Sequence, residues 1–264
     1  MIQRQGRFFS IITRRTAYCF QITEQGFLQH LYYGPRVDFS AGWQALVPQV
    51  RHFPGNAAVL DGAALEDMSL EVSFPGLGDL REPFAAVETA DGSPADLRFV
   101  QAAILPEKPA LEGLPSAAEG GETLEITLAD RRQGLELTVR YTAFEDCDVI
   151  TRQALLTNTG ARPVTVCRLM SNQVDLEGQD YIFTSFNGAW AREFAPTDTP
   201  CGPGAIVSGS RCGVSSNRAN PFVILRRRGA DEDHGDCYGF NLLYSGDHFA
   251  CACGSAYNKL RFLQ

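Results

Sequence analysis

The chain has 264 residues, with 23 Lys and Arg set against 31 Asp and Glu, a formal net charge of −8. That balance supplies no basic stripe for neutralising phosphates and argues against a nucleic-acid partner. At this length a folded chain buries roughly three-quarters of the surface its unfolded form exposes, so stability requires neither a metal nor a disulfide. No run approaches the ~18 apolar residues of a membrane span, and MIQRQGRFFSIITRRTAYCF lacks a signal peptide's apolar middle and cleavage site, which points to the cytoplasm and away from membranes. The eight irregularly spaced cysteines then read as reduced thiols.

Along the chain the hydrophobic period is two. The short run AALEDMSL, residues 63–70, is the best helical candidate and is too short to organise a domain. Residues 74–115 are rich in Gly and Pro (FPGLGDLREP, DGSP, LPEKPALEGLP) and are expected to form long surface excursions. In LEITLADRRQGLELTVRYTAF, Leu124, Ile126 and Leu128 face one way, a turn ends in Gly134, and Leu135, Leu137, Val139 and Tyr141 repeat the alternation: a hairpin with one buried face. VITRQALLTN, a TGARP turn and VTVCRLM follow, with the strand expected to resume after Pro163.

Near the end, Ser245, Gly246 and Asp247 form a turn before the alternating strand His248 to Cys253. KLRFLQ alternates Leu260 and Phe262 with polar neighbours and then stops without a turn, cap or polar tail. This predicts a piece cut from a longer polypeptide, with at least one strand short of a partner. Many short strands at roughly ten-residue spacing without intervening helices predict an all-β sandwich of antiparallel sheets, as one large domain or two.

Local signatures of chemistry are weak. Ser215 and Ser216 lie in GVSSN rather than in a nucleophile elbow. DEDHGD, residues 231–236, offers four carboxylates and His234 to a hard cation, but it reads better as a turn whose carboxylates bond turn amides or stay solvated. Cys251 and Cys253 share a strand face, yet no C-x-x-C is present, so they read as small half-buried thiols and no metal or cofactor is expected. Arg226, Arg227 and Arg228 read as a solvated turn flank. Trp43 and Trp190 are the tryptophans available for stacking on a sugar; the alternative for Trp190 is a core-edge indole that anchors a loop.

Several stretches together resemble the N-terminal part of the α-galactosidases of glycoside hydrolase family 36. They are GFLQHLYYG, GLGDLREP, DGSPADLRF, KPALEGLP, DVITRQALLTNTG, NGAWARE, SRCGVSSNRANPF and DHGDCYGFNLLYSG, in one order over almost the whole chain. The resemblance implies that residues 1–264 form an antiparallel β-supersandwich, of the galactose-mutarotase-like kind, placed before a catalytic (β/α)8 barrel that this chain does not contain. The family's nucleophile context (lysine-tryptophan-aspartate), its acid/base context (serine-aspartate-aspartate) and its aspartate-aspartate-glycine-tryptophan barrel opening are all absent.

It therefore implies an accessory and assembly domain with no catalytic residue of its own. The parent enzyme would be a cytoplasmic, metal-independent retaining α-galactosidase, a homo-oligomer and by analogy a tetramer, acting on α-galactosides such as melibiose or raffinose. Asp79, Arg81, Trp190, Arg192, Arg211, Asn217 and Asn220 fall to docking against the barrel or to loop anchoring. Trp43, Arg51 and His52, in the loop 43–56, fall to substrate contact in a neighbouring subunit; Arg51 and His52 stand where family members can carry an acidic residue. Two other readings stay open: a free-standing sugar-binding module built on Trp43 or Trp190, and a mutarotase-like epimerase using His30, His52, His234 or His248 with a carboxylate.

Overall fold

A computed structural model describes residues 1–39, 42–48 and 62–264, and in it the strand alternation decides the architecture. The chain divides into two compact units: residues 1–109 with 118–172, and residues 110–117 with 173–264. The first unit holds β1 (Ile2–Gln5), β2 (Phe8–Ile12), β3 (Thr16–Ile22), β4 (Leu28–Pro35), β5 (Ala85–Glu88), β6 (Arg98–Leu105), β7 (Glu122–Asp130), β8 (Leu135–Phe144), β9 (Val149–Asn158) and β10 (Thr165–Leu169). The second holds β11 (Gln173–Glu177), β12 (Tyr181–Ala189), β13 (Arg192–Pro200), β14 (Gly204–Ser210), β15 (Ala219–Arg227), β16 (Cys237–Asn241), β17 (His248–Gly254) and β18 (Lys259–Leu263). Every pairing between these strands is antiparallel.

In the first unit the meanders β1-β2-β3-β4 and β6-β7-β8-β9 form separate sheets. The β7–β8 hairpin follows its sequence pattern: Leu128 pairs with Leu137, Ile126 with Val139 and Leu124 with Tyr141, all fully buried or nearly so. Its turn is held by Asp130, whose Oδ1 accepts from the amides of Arg132 (2.9 Å) and Gln133 (3.0 Å). Gly134 has φ +66°, and a Cβ there would lie 2.6 Å from the Cα of Gly160, so both backbone angle and space demand glycine.

The two sheets meet through aromatic rings. Phe9 stacks on Phe20 at 5.2 Å between centroids, and Phe20 on Tyr141 at 5.4 Å, which joins one inner face to the other. Strand β2 is buried along its whole length because its second face is also covered, by Phe39, Trp43 and Leu46 packed over Phe8, Ala17 and Cys19.

Three expectations change. Residues 74–115 are no mere surface excursion, since they contribute β5 and β6, and Phe74, Leu77 and Phe84 are buried. The cause is internal pairing. Arg81 forms a buried ion pair with Asp79 (Nε to Oδ1 2.8 Å) and donates through Nη2 to the carbonyls of Leu65 (2.9 Å) and Met68 (2.7 Å), which pins this turn-rich segment to the chain before it. Residues 63–70 hold only a three-residue 3-10 turn, Leu65–Asp67. The strand after Pro163, β10, pairs with β5 rather than returning to the sheet of β9.

The second unit has sheets of order β11-β18-β17-β14 and β13-β12-β15-β16. The last strand is not short of a partner: β18 lies between β11 and β17. Its polar neighbours are not solvated either. Arg261 is fully buried opposite Asp175, with two parallel bonds of 2.8 Å from Nε and Nη2 to the two carboxylate oxygens.

Removing one member of such a pair leaves an uncompensated buried charge. Arg261→Ala is expected to cost about 3–5 kcal/mol in denaturant unfolding. The apolar double replacement Asp175→Leu with Arg261→Met should recover most of that loss, and equal losses for both would contradict this account.

Candidate functional site

The constellation most like catalytic machinery lies in the core of the first unit. Residues 69–71 run beside β4, with His30 N–H donating to the Ser69 carbonyl (2.9 Å) and Glu71 N–H to the Leu28 carbonyl (3.0 Å). This registers the Glu71 side chain between the sheets. Its carboxylate accepts from the hydroxyls of Tyr18 (2.7 and 2.9 Å) on β3 and Tyr141 (2.6 Å) on β8, and lies 2.7 Å from His30 Nδ1 on β4. Arg152 on β9 approaches to 3.7 Å, donates to the Glu71 carbonyl, and sets its guanidinium 4.9 Å from the centre of the Tyr141 ring.

Burial alone would push the Glu71 carboxyl up. The bond and charge of His30, the charge of Arg152 and the Tyr141 hydroxyl outweigh it and hold the group below the usual carboxylate value. Burial, reinforced by the Glu71 charge, raises both tyrosine hydroxyls well above their ordinary range, and burial pushes the nearby Cys19 thiol up to about 12.

A carboxylate on an imidazole is the pairing a mutarotase-type base requires, and the sequence offered His30 without a partner. Glu71 supplies the partner, but the access is missing. Glu71 is 0% exposed and His30 5%. The cavity beside Leu70 and Val72 is lined by apolar side chains such as Phe27, Leu97 and Leu128, and its volume of about 10 Å³ has room for one water. No hexose enters, so the cluster is a scaffold that ties the two sheets together.

The other histidines fare no better as bases. His234 is exposed, 3.2 Å from Asp231 Oδ1. His248 is buried at the start of β17, where desolvation lowers its pKa. His52 lies outside the described residues, as does Arg51.

Residues 211–220 build turns. Ser215 N–H donates to the Ser245 carbonyl (2.9 Å), Ser216 Oγ accepts from Arg218 N–H (3.1 Å), and Asn220 Oδ1 accepts from Phe222 N–H (2.9 Å). Arg211 and Asn217 are exposed, although the Asn217 carbonyl accepts from Phe194 N–H at 3.4 Å. In DEDHGD, Asp231 Oδ1 accepts from the amides of Asp233 (2.9 Å) and His234 (2.7 Å), and these bonds lower its pKa. Among the described residues no three His, Cys, Asp or Glu side chains gather into a metal site.

The basic run is more occupied than a solvated flank. Arg226 bonds Asp198 (2.6 Å), Arg228 bonds Asp180 (2.8 Å), and Arg227 stacks over Tyr181 (4.1 Å to the centroid).

Trp43 stacks flat on Phe8, with centroids 5.1 Å apart and planes 5° from parallel. Trp190 is not a core-edge indole: it stands 88% exposed at the tip of the β12–β13 hairpin, next to the exposed Arg192, because the hairpin carries it beyond the sheet. Asp79 and Arg81 are the buried pair already described.

Tyr18, Glu71 and Arg152 escaped the sequence reading, and Tyr141 was read only as part of the hairpin's buried face. In MSLEVSF, Met68, Leu70, Val72 and Phe74 keep a period of two, which assigns Glu71 to solvent. The one local signal was a lone charge inside an apolar run.

The cluster sets a pH dependence. The folded carboxyl titrates below its unfolded counterpart, so its contribution is complete above the unfolded value of about 4.3 and is lost as the pH falls through the folded one. Glu71→Gln is expected to lose about 3–5 kcal/mol at neutral pH, because the buried Arg152 loses the opposite charge beside it, and to flatten the acid limb of the stability profile. A variant with wild-type stability at pH 7 in denaturant titrations would contradict a structural role.

Comparison with known proteins places this geometry. A family model described as the glycosyl hydrolase family 36 N-terminal domain matches residues 26–264. The α-galactosidase AgaA of Geobacillus stearothermophilus is 36% identical over 253 residues, which is 93% of this chain and 35% of that protein. The bifunctional α-galactosidase/sucrose kinase AgaSK of Mediterraneibacter gnavus is 34% identical over 264 residues, 97% of this chain and 28% of that protein. Among solved structures, the family 36 α-galactosidase AgaB of Geobacillus stearothermophilus superposes with a TM-score of 0.91 at 33% identity, covering 100% of this chain and 37% of the other. The chain thus spans about a third of the length of the relatives it matches. Its all-β antiparallel architecture, its motifs and this full-length match agree: the chain belongs to the N-terminal domain family of the family 36 glycoside hydrolases.

Proposed function

We propose that this chain is the N-terminal accessory and assembly domain of a longer, cytoplasmic α-galactosidase-like enzyme, and that the hydrolytic chemistry lies in a barrel elsewhere in that protein. The observation that carries the reading is the match itself: nearly the whole chain aligns with about a third of relatives named α-galactosidase. Chemistry supports it. Retaining hydrolysis needs two carboxylates about 5 Å apart on either side of a sugar. Here one carboxylate with an imidazole partner, Glu71, is sealed in the core, and another, Asp231 beside His234, bonds turn amides.

In this reading the parent removes terminal α-linked galactose from oligosaccharides, without a metal, as a homo-oligomer and by analogy a tetramer. Trp43, with Arg51 and His52, belongs to a loop directed at a neighbour's substrate. Arg211, Asn217 and Asn220, with Asp79, Arg81, Trp190 and Arg192, serve docking and loop anchoring. Among the described residues no helix is long and apolar enough to cross a membrane.

One observation favours a second reading, a sugar-binding module: Trp190 offers an exposed indole face. The indole stands 88% exposed at a hairpin tip, however, whereas sugar sites converge polar groups around a concavity.

The test is to express the full product of the native gene beside the 264-residue chain and to follow hydrolysis of p-nitrophenyl α-galactoside. The account expects a longer protein that hydrolyses with retention and a shorter chain that is silent. Comparable hydrolysis by the shorter chain, or a native product ending at Gln264, would overturn it. Saturable galactose binding by the shorter chain, lost in Trp190→Ala, would establish the second reading instead.

A further inference from the structure

The first sheet carries a groove on its outer face. Strands β1 and β2 pair with Gln3 opposite Ser10 and Gln5 opposite Phe8, so a period of two brings Gln3, Gln5, Phe8, Ser10 and Ile12 to one side of the hairpin. Phe39, Trp43 and Leu46 pack over Phe8, Ala17 and Cys19 on that side. Between the β1 half of the face and residues 36–39 an open space of about 960 Å³ remains, closed on its far side by Arg36, Val37, Asp38 and Phe39. Small-molecule sites fall at roughly 300–1,000 Å³, a range the groove fills and the internal cavity beside Leu70 does not approach.

The far wall is fixed in place. Arg36 N–H donates to the Arg15 carbonyl (2.7 Å), the Tyr32 hydroxyl donates to the Pro35 carbonyl (2.7 Å), and Phe39 meets Phe8 edge-on at 5.6 Å between centroids. A groove with both walls held in this way is preformed, so an occupant does not have to order it first.

Its polar groups are unspent. Ser10 is 1% exposed at the floor, and its hydroxyl makes no hydrogen bond among the described residues. The amide of Gln5 and the guanidinium of Arg36, both on exposed residues, make none either. A buried hydroxyl without a partner costs stability, and packing alone would favour an apolar side chain at that position. The other cations at the groove are already matched. The Arg4 guanidinium donates to the carbonyls of Gly6 (3.1 Å) and Ala102 (3.5 Å), and the Met1 ammonium group to the Ile12 carbonyl (2.9 Å) and Glu145 Oε2 (3.3 Å). Arg36 and Asp38 then face the space with opposite charges, so it selects no net sign.

We infer that this groove is a binding site for a neutral oligosaccharide, held by Gln5, Ser10 and Arg36 against the apolar wall of Val37 and Phe39. Amides and a hydroxyl both donate and accept, which suits sugar hydroxyls that do the same. A half-buried aromatic ring and a valine 39% exposed offer the contact that the C–H face of a pyranose takes. An anion would need an excess of positive charge that the groove lacks. The inference stands on these residues alone and does not depend on where hydrolysis takes place.

The experiment is isothermal titration calorimetry of the 264-residue chain with the neutral trisaccharide raffinose. Saturable binding is expected below about 20 mM. Gln5→Ala and Ser10→Ala should each weaken it by about fivefold or more, the loss that goes with an unpaired polar partner. Gln5→Ala changes an exposed side chain and should leave thermal unfolding by circular dichroism unchanged, so its effect is read in a folded protein. Trp190→Ala should bind as the parent chain does. Absence of saturable binding, or binding that either groove variant retains in full, would overturn the inference. Displacement of raffinose by inorganic phosphate would assign the groove to an anion, and binding lost only in Trp190→Ala would assign the sugar to the β12–β13 tip; either result also overturns it.

Discussion

A single buried carboxylate holds the first unit in register. Glu71 receives Tyr18 and His30 from one sheet and Tyr141 and Arg152 from the other, so the two halves of the sandwich share one charge. Apolar packing between sheets is non-directional and tolerates sliding. A fully satisfied ionic network does not, because any shift strands a charge in a low-dielectric interior. The same device recurs in smaller form. Asp79 with Arg81 folds a turn-rich segment inward, and Asp175 with Arg261 locks the last strand to β11.

This use of charge bears on function. The groups that look reactive on paper, a carboxylate on an imidazole flanked by two phenols, are sealed beneath the sheets and serve geometry. The serines of residues 211–220 and the carboxylate of Asp231 organise turns. At the β12–β13 tip the second unit exposes the Trp190 indole beside Arg192. A domain of a glycoside hydrolase family that spends its ionisable residues in this way fits an assembly role.

Legibility in the sequence followed the range of the forces. The β7–β8 hairpin was readable because alternation, a glycine turn and one buried face all act within twenty residues. The family was readable because many separate motifs kept their order. Residues 74–115 misled, since Gly and Pro mark bends without saying whether a bend leads outward; only the distant carbonyls of Leu65 and Met68 show that Arg81 turns inward. Glu71 and Arg261 were hidden for the same reason. A period of two sends each to solvent, and the partners that keep them inside come from strands up to 86 residues away. The core-edge reading of Trp190 failed because apolarity alone argues for burial, whereas hairpin geometry carries the ring past the sheet.

The most direct test of the central claim, that the Glu71–His30 pair is scaffold and not a reaction centre, is polarimetry of galactose mutarotation in the presence of the purified chain at neutral pH. The account predicts a rate equal to that of buffer alone. Acceleration that disappears in Glu71→Gln, with the variant still folded by circular dichroism, would contradict it.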